Sequence, residues 1–511
     1  GILAVSCLSI TALFACVDKD ARSDLSPNLP TDQAQNGDFG DQGGGSDQGL
    51  NFPVFDDGVL AFPGAEGYGK NATGARTGEG REIYHVTNLN DAGPGSFRDA
   101  VSKPWRIIVF DVSGVIKLSK DPVVLKSNQT ILGHTAPGDG IVLYNGRVSA
   151  SGAQNLIVRY LRIRMGAAYP SDQVDACGVA NGANMIFDHC SMTWGRDECF
   201  SINPDGKGTA PKNITIQNSI IGQGLQNHSC GGLMQTDISN GCTIFRNLYI
   251  DNKTRNPKVK GLNQFVNNVV YNWGSGAAYN MGGDSSGKSE TTIENNYFIV
   301  GPCNNWQNVE IAPKVYEAQQ VPMNPARPFT GGNSDFRSYC KGNYYDYDKD
   351  GSLNGIEITE VNWSQYCSGS PTLLEARSDL HPIIRSQKSA QEAYEWVVEK
   401  VGAYLPVRDE VDKYLIDELT SLGGKGTIIQ DERKTEQFPL GGPGTINAAQ
   451  KPLDSDNDGM PDAFEDAWGL DKYDPTDAVK EAKNGYLNIE NYALSLEYPD
   501  EYEYELNKNK Q

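Results

Sequence analysis

Short apolar segments recur along the middle of the chain, each followed by a polar bend. Leu156-Ile157-Val158-Arg159-Tyr160, Met185-Ile186-Phe187-Asp188-His189 and Ile214-Thr215-Ile216-Gln217-Asn218 are three of them. Thr243-Ile244-Phe245-Arg246-Asn247, Gln264-Phe265-Val266-Asn267-Asn268 and Thr292-Ile293-Glu294-Asn295 continue the series. Taking Tyr160, His189, Asn218, Asn247, Asn268 and Asn295 as equivalent gives steps of 29, 29, 29, 21 and 27 residues. Each segment is β-branched and too short to bury a face alone, so the repeats must stack. The pattern predicts an all-β parallel β-helix, one strand of each coil in register with the next. Asparagines at the bend let side-chain amides bond from coil to coil and satisfy buried backbone groups. A β-propeller, with four strands in each evenly spaced blade, does not fit the unequal steps.

The repeat runs from about residue 60 to about residue 303, and the texture changes after about 370. Ser389–Val398 and Asp409–Leu422 have helical apolar spacing behind Ser and Asp cap signals, and Gly423-Gly424 stops the second. These helices are expected to pack on the β-helix, with a separate small domain as the alternative. The chain therefore divides into a β-helix over 60–370, a helical segment over 371–450 and a C-terminal segment over 451–511. Residues 17–59, rich in Gly, Asp, Gln and Asn, read as a flexible tether. Residues 1–16 are apolar but meet Asp18, Lys19 and Asp20 too soon to span a membrane. They read as a signal peptide without its basic start. Leu13-Phe14-Ala15-Cys16 resembles a bacterial lipobox, which makes Cys16 a lipid anchor and the protein an outer-membrane or cell-surface lipoprotein. Plain secretion is the alternative.

Composition narrows the function. The chain has 511 residues, 56 of them Gly, and 21% charged residues with a formal net charge of -21. That balance excludes a nucleic-acid partner, which needs a basic footprint. Past Cys16 the cysteines are Cys177, Cys190, Cys199, Cys230, Cys242, Cys303, Cys340 and Cys367. Export permits disulfides, buried free thiols are equally compatible, and no CxxC pair suggests zinc.

The sharpest metal signal is the run from Asp454 to Glu465. Asp454, Asp456, Asp458 and Asp462 take loop positions 1, 3, 5 and 9, Gly459 position 6 and Glu465 position 12. Met460 offers its carbonyl at position 7. This is the EF-hand calcium pattern, and so many acids without Lys or Arg repel one another unless a cation joins them. Pro461 and the weak helical signal upstream suggest a calcium loop without a full helix pair, structural in role.

Other motifs carry a family resemblance. Ala61-Phe62-Pro63-Gly64-Ala65-Glu66-Gly67-Tyr68-Gly69 and His85-Val86-Thr87-Asn88-Leu89-Asn90-Asp91-Ala92-Gly93-Pro94-Gly95-Ser96 resemble the opening of bacterial pectate lyases of polysaccharide lyase family 1. Phe187-Asp188-His189-Cys190 is similar to the family's Trp-Ile-Asp-His element. Arg255-Asn256-Pro257-Lys258-Val259-Lys260-Gly261, followed by Asn267-Asn268, is similar to its Arg-x-Pro-x-x-Arg-x-Gly…Asn-Asn element.

The resemblance implies a right-handed, pectate lyase-like β-helix that cleaves polygalacturonate or pectin by calcium-assisted β-elimination, acting as a monomer. A calcium ion in the cleft, besides the one in the C-terminal loop, offsets charge on the uronate carboxylate. Arg255 matches the proposed base, although a free guanidinium has a pKa above about 12. Lys260 stands where the family has a second substrate-binding Arg. Asp175 lies 13 residues before Asp188, at a metal-ligand spacing. Asp197 and Glu198 fall near two further ligand positions, with Asp197 favoured. Gln173 replaces one early ligand, for which Asp172 compensates. The Lys that often follows the next coil is missing, and His228 stands as its substitute. Asp188 either serves catalysis or holds a coil bend. Rival functions are a pectin lyase or another uronate-polysaccharide lyase, and a glycan-binding β-helix lipoprotein without catalysis.

Overall fold

The six repeated segments become neighbouring strands of one sheet. The computed structural model of the chain describes residues 50, 58–276, 278–282 and 288–508, so the signal segment, Cys16 and most of the tether lie outside the described residues. Gln154–Arg159, Ala183–Asp188, Lys212–Gln217, Gly241–Phe245, Leu262–Val266 and Ser289–Glu294 stand side by side and parallel. They belong to an 11-stranded sheet, here sheet A. Each coil also adds a strand to a 10-stranded sheet B and an 8-stranded sheet C before returning to A. One such coil places Ala183–Asp188 in A, Ser191–Thr193 in B and Phe200–Ile202 in C. This is a parallel β-helix. Alternation sends Met185, Phe187, Met192, Phe200 and Ile202 inward, where they stack on the same residues of the next coils.

An asparagine ladder runs along the bend between sheets A and B, one residue later in several coils than the repeat suggested. Register pairs Asp188 with Gln217, Gln217 with Phe245 and Phe245 with Val266, so Arg246 and Asn267 stand in line with His189 and Asn218. The ladder itself is Ser219, Asn247, Asn268, Asn296 and Asn343. The Asn247 Nδ2 donates to Asn268 Oδ1 at 3.1 Å, Asn268 Nδ2 to Asn296 Oδ1 at 3.2 Å, and Asn296 Nδ2 to Asn343 Oδ1 at 2.8 Å. The same oxygens accept backbone N–H groups of the coil before, which satisfies donors no strand reaches.

Two of the three outer faces are covered. Sheet B presents Ile220, Leu248, Ile250, Val269 and Tyr271 outward, against α1 (Ala390–Lys400) and α2 (Glu410–Thr420). Ser389 caps α1 in a capping box with Glu392, and Asp409 caps α2, each contributing about 1 kcal/mol. Sheet A presents Ile107, Val109, Leu132, Ile157 and Ile186 to the C-terminal segment. That segment carries α3 (Asp462–Trp468), α4 (Asn488–Glu497) and α5 (Pro499–Lys508). The opening motif also lies across sheet A. A Cβ on Gly69 would sit 2.1 Å from the Met185 carbonyl oxygen, so only glycine allows that approach.

Sheet C keeps a polar outer face. Met234 and Val259 point into the core, so Leu233, Gln235, Lys258 and Lys260 face outward and are partly exposed. The described cysteines are all free, seven of them buried and Cys340 partly so. Among the described residues no helix is long and apolar enough to cross a membrane.

Candidate functional site

The loops from sheet B to sheet C stack like the strands, and the column they form holds the site. Cys177 pairs with Phe200, which sets Asp175 beside Glu198. Parallel bridges then join Glu198 to Cys230 and Cys230 to Thr254. Neighbouring coils are about 4.8 Å apart, so acids at one column position are forced together. The Glu198 N–H donates to Asp175 Oδ1 at 3.4 Å.

Arg255 follows Thr254 with φ at +57° and reaches back over Cys230. Its guanidinium forms an ion pair with Glu198 and lies 3.5 Å from Asp197 Oδ1. The His228 Nδ1 is 3.3 Å from the same Asp197 oxygen. Arg255, Asp175, Asp197, Glu198 and His228, drawn from four coils, thus meet on the flank of sheet C. Cys230 joins them, a residue no motif singled out.

Burial and crowding decide the charges. Glu198 is pushed up to about 7, first by burial and then by Asp175, against the pull of Arg255. Asp175 is raised by burial, partly offset by Arg147 from the coil before. Burial and Glu198 raise Asp197. Burial alone would lower Arg255, but Cys230, Glu198 and Asp197 outweigh it and hold the guanidinium protonated. Two carboxyls thus face one guanidinium, with a third, Asp175, beside Glu198. Oxygens of Asp197 and Glu198 and the Cys230 sulfur converge within 4.8 Å. A mostly carboxylate donor set with surplus negative charge fits a hard divalent cation.

Lys258 and Lys260, two residues apart on one strand, share the outer face of sheet C beyond Arg255. The acidic chain therefore has basic residues along this flank. Gln173 is exposed, and its N–H bonds Ser171 Oγ at 3.4 Å.

Asp188 does not belong to this group, which corrects its assignment to catalysis. It ends a strand of sheet A, is fully buried, and pairs with Arg159 at 2.7 Å. Gln217 Nε2 and Asn218 Nδ2 donate to its other oxygen at 2.9 and 2.8 Å. Arg159 continues to Glu497 of α4 at 2.8 Å. His189 is equally buried and stacks on Tyr160, ring centroids 4.9 Å apart. A group sealed among three buried partners cannot meet a polymer. Asp188 holds the bend and docks α4.

The C-terminal acids converge in part. Oxygens of Asp454, Asp456 and Asp458 lie within 4.8 Å of one another, as do those of Asp458, Glu465 and Asp477. Burial, then neighbouring carboxylates, push Asp458 up to about 7 and Glu465 to about 8. Met460 is buried against sheet A, its N–H donating to Asp458 Oδ1 at 2.9 Å. Asp462 turns aside. Its oxygens accept from the Ser455 N–H at 2.7 Å and Ser455 Oγ at 2.8 Å. Asp477 was missed because it lies beyond the twelve-residue motif, in the acid-rich stretch Asp471–Asp477.

A protein-family model described as pectate lyase matches residues 61–315. "Probable pectate lyase C" of Aspergillus fumigatus is 49% identical over 438 residues, covering 86% of this chain and 94% of that protein. The protein of the same name from Aspergillus flavus is 47% identical over 447 residues, 88% of this chain and 96% of the relative. A crystal structure of a Bacillus sp. N165 pectate lyase in complex with trigalacturonate is 16% identical, with a TM-score of 0.42, over 66% of this chain and 98% of that one. The two relatives are fungal, so they carry the family without carrying the bacterial lipoprotein form. On the family match and the near-full-length relatives together, the chain is a polysaccharide lyase and belongs to the pectate lyase family.

Proposed function

We propose that the protein cleaves (1→4)-α-D-galacturonan by calcium-assisted β-elimination and releases unsaturated oligogalacturonides. The observation that carries this reading is Arg255 held against Glu198 and Asp197, with Asp175 alongside, on the open flank of sheet C. Asp175, Asp197 and Glu198 are the residues to hold calcium there, with Cys230 on the wall. A bound calcium supplies Lewis-acid neutralisation of the uronate carboxylate, which makes the neighbouring C–H more acidic.

The chain's own residues do the rest. While paired with Glu198, Arg255 is a full cation and cannot accept a proton. With both acids engaged elsewhere, it loses the anions that hold its proton and becomes the base for that C–H. The C–H electron pair forms a double bond to the adjacent carbon, and the glycosidic oxygen leaves and is protonated from water or His228. Lys260 and Lys258 bind further uronate carboxylates as point charges, without the fork an Arg would offer. A base of this type favours alkaline pH.

The loop from Asp454 to Glu465, with the Met460 carbonyl, holds a second, structural calcium. The same reading takes residues 60–370 as the catalytic β-helix, with 371–450 and 451–511 as its covers, and a monomer as the acting form. Export follows from the apolar start, and the lipobox-like Leu13–Cys16 supports a lipid anchor on Cys16, which the mass of the mature N-terminus tests.

The test is purified protein on polygalacturonate with calcium or with chelator, read as ultraviolet absorbance of the unsaturated product. Product with calcium and none with chelator is expected. Product from methyl-esterified pectin alone points to a pectin lyase. Binding without product in either case overturns the reading in favour of a glycan-binding protein.

A further inference from the structure

The C-terminal acid cluster is more than its motif. Glu465 is fully buried, and neither carboxylate oxygen has a hydrogen-bond partner. Asp458 and Asp477 are each 3% exposed, and each aims one unpartnered oxygen, Oδ2 and Oδ1, into the same space. Both oxygens of Asp456 are likewise unpartnered. Burying such groups without hydrogen bonds is costly. Four carboxylates with unpartnered oxygens, joined at the edge by Asp454, which Lys451 touches at 3.5 Å, make an arrangement suited to a cation.

We propose that Asp477, not Asp462, completes this site, so that one divalent cation clasps the loop 454–465 to the segment following α3. The proposal rests on reading that loop as a calcium site and changes its ligands and its role. Asp462 turns its oxygens to Ser455 and is not among the acids whose oxygens converge. Asp477 is held ready: its Oδ2 accepts from the Asp471 N–H at 3.0 Å, leaving Oδ1 for the ion. The donors are all oxygens and mostly charged, which selects calcium over softer metals.

What the clasp secures is α4. The Asp477 carbonyl accepts from Asn488 Nδ2 at 2.9 Å and the Ala478 carbonyl from the Ile489 N–H at 3.0 Å. α4 then grips sheet A through Glu490 to Arg76 at 2.8 Å and Glu497 to Arg159 at 2.8 Å. On the other side of the ion, Gly459 backs onto Val109 and Ile489, where an added Cβ would come within 3.3 Å of each. The cation thereby joins two pieces of the segment that seals sheet A.

The test uses full-length protein stripped with chelator and titrated with calcium, read by calorimetry and by thermal unfolding. Wild type is expected to bind two ions, and Asp197→Asn to keep the one that raises the melting temperature. Asp477→Asn should weaken that ion about tenfold or more, while Asp462→Asn leaves it within a factor of about three. In chelator, Asp477→Asn should melt above wild type, because it removes one of the repelling charges; a variant that merely misfolds would melt below. Wild-type calcium binding in Asp477→Asn, with loss in Asp462→Asn, overturns the proposal and leaves the twelve-residue loop standing. No calcium-dependent rise in melting temperature in wild type overturns both.

Discussion

Two crowded sets of carboxylates stand on different walls of the β-helix, and they differ in what offsets their charge. Beside sheet C, Asp197 and Glu198 face Arg255, a cation the chain itself supplies, with Asp175 beside Glu198. Over sheet A, Asp456, Asp458, Glu465 and Asp477 turn unpartnered oxygens on one another. The first set is partly open, with the Arg255 side chain 34% exposed. The second is more enclosed, with Glu465 fully buried and Asp458 and Asp477 each 3% exposed. An internal counter-charge at a partly open site suits the exchange of ligands, and its lack in a buried cluster suits a resident ion.

The loop from Asp346 to Glu357 makes the same point from the other direction. Asp346, Asp348, Asp350, Gly351 and Glu357 repeat the spacing of the 454–465 loop. Yet Asp348 and Asp350 are exposed and accept hydrogen bonds from the N–H groups of Asp350 and Ser352 at 3.2 and 2.8 Å. Asp350 also takes the Asn354 side chain at 3.0 Å. Spacing alone does not aim oxygens at a common point, whereas burial without partners does.

The largest effect expected from breaking this contrast is on Arg255. Arg255→Ala should lower turnover of polygalacturonate by about 10²- to 10⁴-fold, the worth of a positioned base. Its melting temperature in calcium should stay near that of wild type, since the ion takes over from Arg255 in offsetting Glu198 and Asp197. Arg255→Lys restores charge without the fork and should recover only a small part of the rate.

A smaller effect separates both clusters from the bend of sheets A and B. His134 and His189 are buried and neutral, lowered from 6.5 to about 3 and about 4, in each case first by burial. Their folded values lie below the unfolded one, so the unfolded chain binds more protons between them. Stability is whole above about pH 6.5 and falls as the pH drops toward 4, by roughly 3 kcal/mol for His189. Unfolding measured from pH 7 to pH 4 in saturating calcium checks this. His189→Gln should flatten the acid limb.

The coil repeat was legible because strand-length apolar segments at nearly constant spacing have few other uses. The ladder was misaligned because each bend in the series has two residues and asparagine stands at the first in some coils (Asn218, Asn295) and at the second in others (Asn247, Asn268), while Arg246 occupies the first, left-handed position at φ +55°. Its Nε bonds Asn218 Oδ1 at 2.8 Å. In the site, Arg255, Asp197 and Asp175 were found through motifs. Asp188 misled because a motif does not say which end of a coil its side chain serves. Cys230 and Asp477 had no motif. Cys230 enters through stacking register, and Asp477 through a fold-back after α3, neither of which leaves a spacing to read.

The smallest effect belongs to the exposed loop. Asp348→Asn should change calcium-dependent stabilisation by no more than about 0.5 kcal/mol, as for surface substitutions away from special features. A loss as large as that of Glu465→Gln would erase the distinction between the two loops.

The most direct test of the cleft is the calcium dependence of the initial rate in Glu198→Gln. If Asp175, Asp197, Glu198 and Arg255 act as one cation-dependent site, half-maximal rate should need about tenfold more calcium or higher than in wild type. The calcium-induced rise in melting temperature should meanwhile persist. An unchanged calcium requirement at wild-type rate would place the chemistry elsewhere on the β-helix.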